Sequence, residues 1–95
     1  MLLVISRFEY EPAREDDLVD WLDRVEACNH ALMAPPLRVR GAPSGLYTLA
    51  RYRDVAERDA WVGDQRRRDL VDELRGIARA TKTVYQAEML DEERI

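Results

Sequence analysis

The chain has 95 residues, 46% hydrophobic and 36% charged, a balance that specifies a globular protein rather than a disordered one. Its 15 Lys and Arg against 19 Asp and Glu give a net charge of -4, which argues against nucleic-acid or anionic-membrane binding, since both need a basic surface. Cys28 stands alone, so no internal disulfide and no thiolate cluster can form, and the cytoplasm is the default location.

Residues 1–95 are long enough for one domain, expected to bury only roughly 60–65% of its unfolded surface. Leu2 to Tyr10 reads as a strand, closed by Glu11-Pro12. Leu2 and Val4 on one parity and Leu3 and Ile5 on the other are all apolar, which predicts a central strand covered on both faces. The same run is far too short for a signal-peptide core or a membrane span.

A helix is predicted from about Glu15 to Met33, with Leu18, Trp21, Leu22, Val25 and Leu32 on one stripe. Glu15, Asp16 and Asp17 suit its first turn, and Ala34-Pro35-Pro36 stops it. Leu37–Arg40 and Leu46–Arg53 read as a hairpin about the turn Gly41-Ala42-Pro43-Ser44-Gly45. Asp54 with Glu57 three residues on is a capping signature, and Asp64 after Gly63 caps a longer helix ending near Arg79. Thr81 to Leu90 is the last strand, and the tail from Asp91 to Ile95 is expected to fray.

The order β-α-β-β-α-β defines an α+β, ferredoxin-like sandwich with the helices on one face of the sheet. The other face would carry Leu3 and Ile5 or Leu2 and Val4. Its apolar character predicts a homodimer packed sheet to sheet.

His30 is the only histidine, and Glu26 is its only local carboxylate, so the residue reads as a structural group or a pocket acid or base rather than a metal ligand. Asn29 breaks the apolar stripe and must bond either backbone or a ligand. Trp21 and Trp61, with Tyr47, Tyr52 and Tyr85, either line an aromatic pocket or fill the core. Arg7, Arg51 and Arg53 call for an ion pair with Glu9 or Glu88, or for a ligand carboxylate. The run Arg66-Arg67-Arg68, ringed by Asp64, Asp69, Asp72 and Glu73, reads first as a solvated helix face and second as an anion or partner contact.

The segment Leu46-Tyr47-Thr48-Leu49-Ala50-Arg51-Tyr52-Arg53-Asp54-Val55, continuing through Ala60-Trp61 to Leu70-Val71, resembles the antibiotic biosynthesis monooxygenase family. Met1-Leu2-Leu3-Val4 and Thr83-Val84-Tyr85-Gln86-Ala87-Glu88 look like that family's first and last strands. The resemblance implies a dimeric α/β barrel with a pocket between helices and sheet in each subunit. It also implies oxygenation of an aromatic or polyketide-like small molecule with no cofactor and no metal. Asn29, His30 and Tyr52 would then be catalytic, and Arg7, Trp21, Tyr47, Trp61 and Tyr85 would bind substrate. Tyr52 stands where members often carry tryptophan. The haem-degrading branch carries a histidine after the Trp61 segment, and here Arg66-Arg67-Arg68-Asp69 occupies that stretch, which argues against haem. That branch's first-strand asparagine is also absent, with Ser6 and Arg7 nearby. A cyclase or isomerase, a non-catalytic ligand-binding module and an accessory dimer remain alternatives on the same fold.

Overall fold

The computed structural model describes residues 1–41 and 45–88. Its framework is an antiparallel four-stranded sheet in the order β2-β3-β1-β4. The strands are β1 (Leu2–Tyr10), β2 (Leu37–Gly41), β3 (Gly45–Tyr52) and β4 (Ala78–Glu88). β1 is interior to the sheet, as its two apolar parities require. It pairs with β3 in an unbroken register from Leu2↔Tyr52 to Glu9↔Gly45. Its pairing with β4 slips between Ile5 and Ser6, where Ile5 faces Tyr85 but Ser6 faces Thr83, so Val84 is an extra residue on β4.

Helix α1 covers Glu15–Cys28, five residues shorter than the periodicity predicts. The cause is Asn29, which leaves helical geometry at φ -81° and ψ 85°. Its side-chain Oδ1 accepts from the Ala31 amide at 3.2 Å, offering the backbone a turn in place of another helical bond. The chain then runs back along β3: Leu32 bridges Tyr52, and the Met33 amide donates to the Arg51 carbonyl at 2.9 Å. The prolines at 35 and 36 therefore follow the helix end without causing it.

Two helices stand where one interrupted helix is predicted, α2 (Val55–Val62) and α3 (Gln65–Leu74). Both predicted caps are present: the Asp54 carboxylate accepts from the Glu57 amide at 2.9 Å and Asp64 from the Arg66 amide at 2.9 Å. α3 ends at Leu74 rather than near Arg79, because the Gly76 and Ile77 amides bond the carbonyls of Glu73 and Leu74 and the chain turns into β4. The predicted turn at 42–44 and the tail from Asp91 to Ile95 lie outside the described residues.

The core forms on one face of the sheet. Phe8, Tyr10 and Leu46 from the strands meet Leu18, Trp21, Leu22 and Leu74 from the helices, with Leu18 and Leu22 almost fully buried. Phe8 and Trp21 pack edge to face with ring centroids 6.0 Å apart, and the Trp21 indole donates to the Leu70 carbonyl at 2.7 Å. A second cluster joins Leu2, Val4, Ala31, Tyr52 and Trp61. Rim ion pairs join helix to helix and sheet to helix: Arg24 of α1 grips Glu73 of α3 at 2.6 and 2.8 Å, and Arg38 of β2 reaches Asp23 and Glu26 of α1. Such exposed pairs contribute about 0–1 kcal/mol each, so they set the register of the layers more than their stability.

No described helix lies against the opposite face. Leu37 and Val39 of β2 are 66% and 49% exposed there, and Tyr85 of β4 is 54% exposed. Leu3, Ile5, Tyr47 and Leu49 continue the same surface. Tyr47 lies over Gly41, where an added Cβ would come within 2.5 Å of the ring. The Arg7 guanidinium sits 6.0 Å from the same ring, pairs with Glu9 and lies against Gly45. Glycines at both ends of the hairpin thus let two large side chains lie flat on the sheet.

Candidate functional site

Between the sheet and its helices lies a cavity of about 310 Å³, within the size range of small-molecule sites. Its floor is the inward row of β1 and β3, where Val4, Ser6, Thr48 and Ala50 are all short. Larger residues at those positions would fill the space under the helices. Trp21, Leu22 and Val25 of α1 form one wall, and Trp61 of α2 with Val71 and Leu74 of α3 form the other. The lining is mainly apolar and aromatic, with a few polar groups that converge on it.

Asn29, Thr48 and Tyr52 are the buried ones among these groups, at 9%, 8% and 7% exposed. The Asn29 amide is oriented by its bond from the Ala31 N–H to Oδ1, which turns Nδ2 toward Tyr52 and lets it donate to the phenolic oxygen at 3.0 Å. The Tyr52 O–H proton makes no donated bond among the described residues and is left for the cavity. Burial pushes the Tyr52 phenol above its ordinary pKa, opposed by the Asn29 hydrogen bond and the positive charges of Arg67 and Arg58. At neutral pH the group is therefore a hydrogen-bond donor, poorly suited to act as a base.

Three charged residues reach the lining: Glu26, Arg58 and Arg67. Glu26 is engaged by Arg38 at 3.0 Å, and Arg58 bonds Asp59 at 2.8 Å and Gln86 at 2.7 Å. Among the described residues, no group of three or more His, Cys, Asp or Glu is placed to hold a metal ion.

Of the eight residues singled out from sequence, the cavity brings together Asn29, Tyr52, Trp21 and Trp61. It excludes Arg7, Tyr47 and Tyr85. The pairings Ile5↔Tyr85 and Arg7↔Tyr47 put all three on the uncovered face, so parity separates them from Tyr52. Arg7 makes the internal ion pair with Glu9 that its strand position calls for. His30 is exposed beyond the end of α1. Its ring stands edge-on to Trp61 at 6.5 Å and does not line the cavity. Neither of the two other candidate arginines enters the site: Arg51 is exposed on the outer face and Arg53 lies past the end of β3, 3.9 Å from Glu57.

Sequence reading missed Ser6, Thr48 and Arg58 as lining residues, and gave Arg67 only as part of a basic run whose second reading is an anion contact. A signal existed for each. Ser6 and Thr48 are polar at inward parity beside Val4 and Ala50. Arg67 lies four residues before Val71 and seven before Leu74, on the apolar stripe of α3 rather than its solvated side.

The sheet order, the helices on one face and the aromatic-lined cavity between them define an α+β ferredoxin-like protein with the fold of antibiotic biosynthesis monooxygenase-like proteins. Among solved structures, Rv0793 from Mycobacterium tuberculosis matches with a TM-score of 0.76 and 21% identity over 96% of both chains. A Deinococcus radiodurans protein described as a candidate antibiotic biosynthesis monooxygenase matches at TM-score 0.79 and 9% identity, covering 94% of this chain and 92% of that one. A structure described as an antibiotic biosynthesis monooxygenase matches at 0.75 and 16%, over 95% and 99% of the two chains. No family model and no curated protein sequence matches the chain. No described helix is long and apolar enough to cross a membrane.

Proposed function

We propose that this protein is a cofactor-independent oxygenase, acting as a homodimer on an aromatic or polyketide-like small molecule held in the cavity. The observation that carries the reading is the buried Asn29–Tyr52 pair, which sets a phenol that donates to no described residue at an aromatic-lined space. The fold shared with proteins described as monooxygenases supports it.

Substrate rings would pack between Trp21 and Trp61, with an oxygen of the substrate against the Tyr52 hydroxyl. The Tyr52 donor and the nearby Arg58 and Arg67 charges favour the deprotonated, enolate form of a phenol or anthrone. That carbanion supplies the electrons for dioxygen. One oxygen atom replaces the two hydrogens of a ring CH2 as a carbonyl, and the other leaves with them as water. The test is oxygen uptake with anthrone and 1,3-dihydroxynaphthalene, each set against its blank. Uptake above blank that scales with protein supports the reading. Ligand-induced tryptophan quenching without any uptake would move the protein to the non-catalytic binding class.

The homodimer covers the apolar outer face, sheet against sheet. Leu49 lies on that face, paired with Ile5 on one side and Leu37 on the other. Leu49→Glu places a charge there and is expected to weaken association at least 100-fold in sedimentation velocity. Wild-type protein that sediments as one 11.1-kDa copy at high concentration contradicts the dimer.

A further inference from the structure

We propose that the occupant of the cavity carries a carboxylate and that the Arg67 guanidinium is the group that pairs with it. The inference rests on the cavity being a binding site and adds the charge of its occupant.

Arg67 lines the cavity from the first turn of α3. It is partly buried, and among the described residues it makes no hydrogen bond and no ion pair. A guanidinium taken partly out of water without a counterion is unfavourable, and one on the apolar stripe of its helix is better explained by a partner that arrives with the ligand. The other charged lining residues are already engaged, Glu26 by Arg38 and Arg58 by Asp59 and Gln86. The cavity is thus left with an uncompensated positive charge inside a protein whose net charge is -4. The chemistry selects further. A planar guanidinium fork fits a carboxylate through two parallel hydrogen bonds. A cavity of about 310 Å³ walled by two indoles suits a fused aromatic acid, whereas a nucleotide would bring far more polar surface than the lining can satisfy.

The test uses a matched pair of probes, 2-naphthoate and 2-naphthamide, which share shape and differ in charge. Binding to the full chain is followed by quenching of Trp21 and Trp61 fluorescence. The acid is expected to bind at least tenfold more tightly than the amide, or about 1.4 kcal/mol. Arg67→Met is expected to abolish that preference while leaving the amide's affinity within twofold. Arg67→Lys should keep part of it. Amide binding by Arg67→Met also reports that the variant is folded. Equal affinity for the two probes, or a preference that survives Arg67→Met, overturns the assignment while leaving the cavity as a binding site. Quenching by neither probe overturns both.

Discussion

Tyr52→Phe is expected to lower kcat for the phenol or anthrone selected by oxygen uptake by about 100- to 1000-fold, with KM little changed. The substitution keeps the ring that packs with Leu2, Val4, Ala31 and Trp61 and removes only the hydroxyl. That hydroxyl has two roles. Its oxygen accepts from Asn29 at 3.0 Å, and its proton is free for a substrate oxygen. A donor aimed at developing negative charge acts mainly in the transition state, so its loss falls on kcat rather than on binding. The variant also leaves the Asn29 amide without its acceptor, costing about 1–3 kcal/mol where no water replaces it. Comparing the variant's melting curve with its kinetics separates the two effects. A kcat within threefold of wild type, in a protein that still melts cooperatively, contradicts the role given to Tyr52.

The largest effect on stability is expected at Leu18, which is 0% exposed beneath α1 and is enclosed by Phe8, Tyr10, Trp21, Leu22, Leu46 and Leu74. Leu18→Ala removes buried methyl groups and leaves a hole that packed aromatic neighbours cannot easily close. The expected loss is about 3–5 kcal/mol. A chain of this length has about 5–14 kcal/mol in all, so the variant should melt roughly 10–30 °C lower at the same protein concentration. Leu18→Met preserves volume and should cost under about 1.5 kcal/mol. A loss below about 1 kcal/mol for Leu18→Ala would show that this residue is not the centre of the core.

The strands and caps were legible because each depends on local chemistry. The double apolar parity of Leu2–Ile5 placed β1 inside the sheet, and Asp54 and Asp64 capped helices as their positions indicated. The end of α1 was not legible, because the stripe continued to Leu32 while the Asn29 side chain competed for the backbone. Residue type alone did not separate the residues that line the cavity from those on the outer face. Tyr47, Tyr85 and Arg7 looked equivalent to Tyr52 until register fixed which face each occupied, and a one-residue change of parity moves a side chain to the other side of the sheet. Arg67 was hidden for the opposite reason. Its neighbours Arg66 and Arg68 are exposed, so the run looked uniform although its middle residue falls on the buried stripe.

The short side chains of Ser6, Thr48 and Ala50 leave a gap between the sheet and the helices. A protein this small therefore gives up contact area that a longer residue at any of these positions could supply. Whatever fits that gap restores the lost packing only in the folded state, so occupancy should register as heat resistance. At 100-fold excess over Kd the gain is about 2.7 kcal/mol, or roughly 10–20 °C for a chain of this length. A melting screen can thus rank compounds before any reaction is known, and Ala50→Leu, which plugs the gap, should blunt the response to all of them.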